Sequence, residues 1–342
     1  MSLREMFGVE LPVVQAPMAG WQGSELAIAV SNAGGLGSLP GALLSLDALA
    51  AQLTALRAGT NKPFNVNFFC HSPPAPDAAR EAAWRRLLSP YFKEYEIDPS
   101  TASPAASRIP FSAAAADVLE AFRPAVVSFH FGLPSAELLA RARGWGSKIL
   151  SSATTVAEAR WLDKHGVDAV IAQGSEAGGH RGMFLSEDLT TQVGTFALLP
   201  QVIKAVGVPV IASGGIADAR GVAAALSLGA AAVQLGTAYL LCPEVTTSAV
   251  HRTALKSDTA SHTALTNLFS GRPARGIMNR IMTDLGPINA AAPAFPLAAG
   301  ALAPLRQKAE SAGRGDFSPL WAGQNVSGCR EISAAALTRA LI

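Results

Sequence analysis

A glycine-rich segment at residues 173–182, with the sequence QGSEAGGHRG, contains one histidine, His180. Four glycines within nine residues of this segment indicate a backbone held close to another group. Because histidine exchanges a proton near neutral pH, His180 is predicted to be the catalytic residue, with a solvated loop histidine as the alternative. The neighbouring Arg181 could neutralise an anionic substrate or form a salt bridge with Glu176 or Glu187.

Two further glycine segments, ASGGI at 212–216 and QLGT at 234–237, are candidates for binding an anion. Consecutive glycines allow backbone N–H groups to turn toward a phosphate, and a helix that begins after Asp218 adds a favourable dipole. Ordinary glycine turns are the alternative, but two such loops after neighbouring strands favour a phosphate site. The predicted contacts are Ser213, Gly214, Gly215, Gln234, Leu235, Gly236 and Thr237.

The segments NVNFFCH at 65–71 and SFHFG at 128–132 place polar side chains within apolar runs. Strand alternation puts Asn65 and Asn67 on one face. A buried amide there needs hydrogen-bonding partners, and the edge of a planar heterocycle would provide them. His130 is expected either to line the same pocket or to be a hydrogen-bonded core histidine.

A QAPMAG segment near the N-terminus supplies small residues and a rigid proline. Ala16, Pro17 and Met18 are therefore predicted to press backbone against a flat ring, with core filling as the alternative for Met18. Cys70 has no activating neighbour other than His71, so we expect a buried, inert thiol there.

The elements that must position these residues are eight short apolar runs, alternating with Ala- and Leu-rich helical stretches. Ser24, Ser45, Thr155 and Asp218 are predicted to cap four of the helices. Eight such units predict a parallel (β/α)8 TIM barrel, and a doubly wound open sheet is the alternative. In a barrel the functional groups lie on the loops that follow the strands, where the segments above are found. The predicted strands are 13–18, 36–40, 64–69, 126–131, 148–153, 169–173, 209–213 and 232–235.

Two regions do not follow this alternation. Residues 70–111 are interpreted as an insertion after the third strand of a barrel that spans 1–243. Residues 244–342 are too many for a single barrel helix and are predicted to form a C-terminal extension that covers the catalytic mouth. Within it, the stretch 285–305 is interpreted as a Pro- and Ala-rich connection across the surface.

The composition excludes several classes of protein. The 342 residues are 49% hydrophobic and 15% charged, with a mean hydropathy of +0.28. The charge-free stretches are interrupted by glycine and proline, so membrane-spanning helices are not expected.

A net charge of +2 gives no basic surface of the kind that binds nucleic acid. Three cysteines without CxxC spacing indicate neither a zinc site nor a disulfide framework. No signal peptide is visible, so we expect a cytoplasmic protein, either a monomer or a homodimer.

Taken together and in this order, the segments resemble those of class I nitronate monooxygenases, formerly called 2-nitropropane dioxygenases, over about residues 11–280. The resemblance implies a TIM barrel that binds FMN non-covalently and without metal. Asn67 and Gln173 resemble residues that contact the flavin ring system, and His180 resembles the active-site histidine. A segment at 270–276, SGRPARG, also resembles a family segment near the mouth, but no role follows for its two arginines, Arg272 and Arg275. The residues that resemble ribityl and phosphate contacts are Gly178, Gly215, Gln234, Leu235, Gly236 and Thr237, and Gly179 adjoins them.

The implied reaction is the oxidation of an alkyl nitronate by O2 to a carbonyl compound and nitrite, with propionate-3-nitronate as the natural substrate. Met18, Phe68, Phe131 and His130 are expected to line the substrate pocket. Protonated His180 would stabilise an anion, whereas neutral His180 would deprotonate a nitroalkane. Two alternatives stay open: an FMN-dependent NAD(P)H:quinone or enoyl-thioester reductase, and a non-catalytic barrel that binds a phosphorylated ligand.

Overall fold

Eleven strands are present in the computed structural model, which describes residues 3–98 and 108–342. Eight of them form one parallel sheet, and the other three form a small antiparallel sheet. The strands are β1 Val13–Gln15, β2 Gly37–Pro40, β3 Phe64–Phe69, β4 Val126–His130, β5 Lys148–Ala153, β6 Ala169–Gln173, β7 Gly179–His180, β8 Val210–Ser213, β9 Ala232–Leu235, β10 Thr263–Thr266 and β11 Ala274–Ile277.

The helices surround the large sheet or follow it in the chain. They are α1 Leu3–Phe7, α2 Ser24–Asn32, α3 Leu46–Gly59, α4 Ala78–Glu94, α5 Ala113–Phe122, α6 Ala136–Gly144, α7 Val156–Lys164, α8 Thr195–Ala205, α9 Ala219–Ser227, α10 Ala249–Leu255, α11 Arg280–Leu285, α12 Ala298–Ser311 and α13 Ala334–Ala340. Three of the four predicted caps are confirmed, because the side chains of Ser45, Thr155 and Asp218 accept hydrogen bonds from backbone N–H groups of α3, α7 and α9. The cap predicted at Ser24 is wrong, since α2 begins at Ser24 itself and Gly23, the residue before it, has no side chain to cap the helix. No helix in the described ranges is long and apolar enough to cross a membrane.

The large sheet closes into a barrel. Its strand order is β1-β9-β8-β6-β5-β4-β3-β2, and a parallel bridge between Val14 and Leu36 joins the two ends. The predicted TIM barrel is therefore confirmed, and the open sheet is wrong. β4 ends one residue earlier than predicted because Phe131 has a φ of +69°, outside the strand region.

Two apolar layers hold the barrel together. Between strands and helices lies a large cluster that includes Leu53, Leu119 and Val127. Inside the barrel, a second cluster combines inward residues such as Val14 and Ile211 with residues from the N-terminal segment, which closes the barrel floor. The C-terminal ends of the strands are thereby left as the open end of the barrel.

A separate apolar core lies beyond the barrel and is shared by the insertion and the C-terminal residues. Trp84 and Leu88 of α4 pack with Leu302 and Leu305 of α12, and Trp84 Nε1 donates to Ala298 O at 3.3 Å. The interpretation of residues 285–305 as a surface connection is therefore wrong, since the apolar side of α12 needs a partner and finds it in α4. Of the predicted insertion, residues 99–107 lie outside the described ranges.

The last helix, α13, returns to the barrel. Leu337 and Leu341 belong to the main core, α13 contacts α2, and Thr338 Oγ1 lies 2.9 Å from Tyr239 Oη. The helix thus takes the place next to α2 where a barrel has its eighth helix. The residues between β9 and α13 are consequently held at both ends by the barrel.

Candidate active site

A cavity that is open to solvent lies at the C-terminal ends of the strands. The sequence-predicted residues that line it are Ala16, Pro17, Met18, Asn67, His130, Gln173, Gly178, Gly179, His180, Ser213, Gly214, Gly215, Gln234, Leu235, Gly236 and Thr237.

One end of the cavity is made of backbone. Gly214 and Gly215 have φ values of +119° and +72°, and a Cβ at Gly214 would lie 2.7 Å from Thr195 Oγ1. Within the part of the chain that the structure describes, the N–H groups of Gly214, Gly215 and Gly236 donate to no protein acceptor. A group of free N–H donors at the loops after β8 and β9 is suited to an anion such as a phosphate.

The C-terminal residues complete the cavity wall next to the glycine loops, in line with the predicted cover of the mouth, but the sequence did not indicate which residues would do so. Gly323 N donates to Thr237 Oγ1 at 3.0 Å, and Asn325 Nδ2 donates to Gly215 O at 3.0 Å. Both residues line the cavity. They come from a segment with no motif, so only the folded chain reveals them.

Glu176 also lines the cavity, although no function was predicted for its carboxylate there. It accepts hydrogen bonds from Thr195 N at 2.8 Å and Thr195 Oγ1 at 2.9 Å. The carboxylate therefore caps the N-terminus of α8, where the helix dipole compensates its charge. It fixes the loop after β6 beside the glycine loop after β8.

Amide side chains form the middle of the cavity wall. Asn67 Nδ2 donates to Ser128 Oγ at 2.9 Å, and Gln234 Oε1 is buried without a hydrogen-bond partner among the described residues. Asn65 shares the face of Asn67, as predicted, but lies deeper, donates to Ser38 Oγ and Ser128 Oγ, and does not line the cavity. A planar ligand with polar edges would supply the partner that Gln234 lacks.

Gln173 holds the glycine-rich loop in place. Its Nε2 donates to His180 O at 3.0 Å, and its Oε1 accepts from Gly182 N at 2.8 Å. His180 itself lies on β7, which pairs with β11. The backbone of His180 is therefore held by Gln173 and by strand pairing with β11.

The surroundings of His180 favour the neutral form of its ring. Burial, followed by the positive charge of Arg108, holds the pKa of His180 well below its usual range. Its Nε2 lies 2.8 Å from Ser270 Oγ, and the rings of Phe295 and Trp321 lie 5.4 and 5.6 Å away in edge-on contact. A neutral imidazole in an aromatic setting is able to accept a proton.

Both expectations for His130 hold in part, because it lines the cavity and is also hydrogen-bonded. Its Nδ1 lies 3.1 Å from Ser152 Oγ, and its Nε2 lies 3.1 Å from His180 O. Burial lowers the pKa of His130 to about 4. Since both ring nitrogens are occupied, His130 supports the backbone of His180.

Arg181 does not line the cavity and forms no ion pair with Glu176 or Glu187 in the described ranges. The side chain is fully buried and donates to Gly174 O and Gln173 O, each at 2.7 Å, and to Gln192 Oε1 at 3.0 Å. Its planar guanidinium matches two carbonyls of the glycine-rich loop, so it fixes that loop.

The two arginines of the 270–276 segment are also attached to backbone. Arg275 Nε donates to Ser175 O at 2.8 Å, and Arg272 Nη2 donates to Met183 O at 2.8 Å. The guanidinium of Arg272 also lies over the ring of Phe131, 4.2 Å from its centroid. Both arginines therefore join this segment to the loop after β6.

The apolar wall differs from the expected one. Phe68 and Phe131 do not line the cavity, whereas Phe69, Trp321 and the cation Arg108 do. Strand alternation explains the first error, since Phe69 shares the inward face of Asn67 and Phe68 packs outside against Phe111. Phe131 packs behind Phe69, at 5.0 Å between ring centroids. Cys70 is as expected, because burial raises the pKa of its thiol.

Comparisons with known proteins agree with this geometry. A nitronate monooxygenase from Pseudomonas aeruginosa is 43% identical to the chain over 343 residues, covering 98% of this chain and 97% of that protein. One from Paraburkholderia phytofirmans is 42% identical, covering 99% and 93%. In structure, the chain is similar to nitroalkane oxidase from Streptomyces ansochromogenes, with a TM-score of 0.90, 40% identity and coverage of 100% and 96%. FabK from Thermotoga maritima has a TM-score of 0.72 and 27% identity, with coverage of 100% and 94%.

The family model described as nitronate monooxygenase matches residues 1–342, the whole length of the chain. An oxidoreductase site at the open end of the barrel is consistent with the surroundings of His180 and with the free N–H donors of the glycine loops. The chain therefore belongs to the nitronate monooxygenase family.

Proposed function

We propose that the protein is an FMN-dependent monooxygenase that oxidises alkyl nitronates with O2 to a carbonyl compound and nitrite. Propionate-3-nitronate is the substrate that we propose first. The observation that carries this proposal is one cavity that is lined both by free backbone N–H donors and by His180, whose pKa is held well below its usual range.

The residues present fit FMN. The N–H groups of Gly214, Gly215 and Gly236 would hold its phosphate, in a place where barrels commonly bind one. The buried Gln234 Oε1, which has no partner among the described residues, would accept from a polar group of the cofactor. A Cβ atom at position 236 would lie only 3.3 Å from the Cβ atom of Ala16. Glycine at this position therefore lets a ligand approach the backbone closely.

FMN, when bound, would supply the electron acceptor for nitronate oxidation and the site of reaction with O2. The protein would contribute position, charge and proton control. Phe69 and Trp321 form an apolar wall that excludes water, and Arg108 adds a positive charge that attracts an anion.

His180 has two tasks that depend on the substrate. With a neutral nitroalkane, the neutral ring would take the α-proton, and the electron pair of the broken C–H bond would pass to the nitro group. With a nitronate, binding of the anion would raise the pKa of His180 and favour a protonated ring that donates to a nitronate oxygen. The low pKa of the free site therefore suits a histidine that gains its proton together with the anion.

The test begins with the visible spectrum of the purified protein and identification of the released flavin. In air, the protein should release nitrite from propionate-3-nitronate, with a carbonyl product in equal amount. Rapid bleaching of the flavin by NADH without oxygen, and no nitrite from nitronates, would instead establish the reductase. A protein that stays colourless after incubation with FMN would establish the non-catalytic barrel.

A further inference from the structure

The hydroxyl of Ser270 contacts the catalytic candidate from a distant part of the chain. Its Oγ lies 2.8 Å from His180 Nε2, and the side chain is 1% exposed. The same Oγ lies 3.3 Å from Arg272 O and 3.4 Å from Arg272 N. The hydroxyl of Ser270 therefore lies within hydrogen-bonding distance of three groups.

A count of hydrogens assigns the direction of each bond. A serine hydroxyl has one hydrogen to donate and two lone pairs to accept with. The N–H of Arg272 must donate to Oγ, and Arg272 O must accept. Ser270 is the one donor to Arg272 O among the described residues, so its hydrogen is assigned there. The bond to His180 then requires a hydrogen on Nε2.

His180 lines the cavity, and its backbone and ring are held by several neighbours. His180 O accepts from Gln173 Nε2 and contacts His130 Nε2, and the ring meets Phe295 and Trp321 edge-on. Nδ1 has no hydrogen-bond partner in the described ranges and is not enclosed by protein. Nδ1 is therefore the atom that a ligand in the cavity meets.

Among the described residues, no carboxylate acts on the charge of His180. The groups that act on the charge of His180 are Arg108, His130, Arg272 and His71, and each disfavours a proton on the ring. In a Ser–His–Asp triad an aspartate orients the histidine, but that partner is missing from the described surroundings of His180. Ser270 is left as the group that selects the tautomer.

We propose that Ser270 is a positioning residue that holds neutral His180 with its hydrogen on Nε2 and presents the lone pair of Nδ1 to the substrate. This inference rests on the proposed function for its chemistry. Nδ1 forms the new N–H bond as the α C–H bond of a nitroalkane breaks, and the electron pair of that C–H bond becomes part of the nitronate. No oxidant is needed for this step.

The tautomer is measured by ¹⁵N NMR of the holoenzyme labelled in its histidines, with His180→Asn used to assign the signals. At pH 7.5 we expect a protonated Nε2 and an unprotonated Nδ1 for His180. In Ser270→Ala the two tautomers should mix, while Ser270→Thr, which keeps a hydroxyl, should restore the wild-type spectrum. An unprotonated Nε2 in the wild type, or an unchanged tautomer in Ser270→Ala, would overturn the proposal.

Kinetics provide the second measurement. In Ser270→Ala we expect kcat/KM for a neutral nitroalkane to fall by about tenfold, less than the ~10²–10⁴-fold expected for loss of the base. Flavin content and KM for a nitronate should stay close to wild type. Equal losses with both substrates would show a merely structural role. Because the NMR signals do not depend on turnover, failure of the proposed function is distinguishable from failure of this inference.

Discussion

Removal of the charge of Arg108 is expected to raise the pKa of His180. Arg108 Cζ lies 5.4 Å from the ring centroid of Phe295, which lies 5.4 Å from that of His180. These two distances place the charge no more than about 11 Å from the ring, where a unit charge contributes about 0.4–1.5 kcal/mol at effective dielectric constants of ~80–20. The expected rise in pKa is therefore about 0.3–1 unit.

The sign follows from the charge. Arg108 disfavours a second positive charge on His180, so its replacement favours the protonated ring and moves the titration of His180 to higher pH. Activity that needs the neutral base should then begin to fall at a higher pH than in the wild type. His130, Arg272 and His71 remain in place and keep the pKa below its usual range.

Arg108→Met is the suitable variant because methionine keeps an apolar side chain against Phe295. The assay is the pH dependence of kcat/KM for a neutral nitroalkane, followed by nitrite release, together with a ¹⁵N titration of His180. Arg160→Met, on the exposed side of α7, is the matched control and should leave both curves unchanged. An acid limb that stays in place, or that moves to lower pH, would refute the electrostatic reasoning.

Three further predictions test the site and the fold. In His180→Asn the flavin should be retained while nitronate turnover, measured as nitrite, falls by roughly 10²–10⁴-fold; unchanged turnover would make His180 an ordinary loop residue. Gly214→Ala should weaken FMN binding, measured by flavin fluorescence, because its Cβ would meet Thr195 Oγ1 at 2.7 Å. Gly144→Ala, with no neighbouring atom within 4 Å, should bind FMN as the wild type does. Burial lowers the pKa of His251 to about 4, so the unfolded chain binds the extra proton and stability falls as the pH decreases from about 6.5 to 4. Between pH 7 and 5 the free energy of unfolding should fall by on the order of 2 kcal/mol because of His251. In urea unfolding experiments, His251→Gln should abolish this pH dependence, whereas His165→Asn, at an exposed position, should leave it unchanged.

Much of the barrel could be predicted because its signals are local. Alternating apolar runs and caps such as Thr155 are properties of neighbouring residues, and the barrel rule then places every functional loop at one end. The strand alternation that places Asn67 inward also places Phe69 inward and Phe68 outward, so the local pattern contains this information. The partner of residues 285–305 is α4, which lies about 200 residues earlier in the chain, so no local pattern indicates that contact.

The contacts that determine the chemistry of His180 were beyond the reach of sequence patterns. Ser270 lies 90 residues away along the chain, and its role depends on the position of one hydrogen. Arg108 belongs to an insertion with no recognisable motif. A pattern identifies a histidine that is able to react, whereas the atom that reacts and the pH at which it does so depend on tertiary contacts.

The arginines around the site are of two kinds: some hold the loop after β6, and Arg108 lines the cavity. One kind keeps the loop in place, and the other adds positive charge to the cavity. Arg181 and Arg275 donate to backbone carbonyls and hold the loop after β6, so the N–H groups that make these bonds are not available to a ligand. Arg108 lines the cavity, and burial lowers the pKa of its guanidinium with no carboxylate acting on it in the described surroundings. An anion that enters the cavity would offset this desolvated charge and at the same time favour the protonated form of His180. Anion binding and proton uptake should therefore be coupled at this site, and Arg108→Met should weaken that coupling.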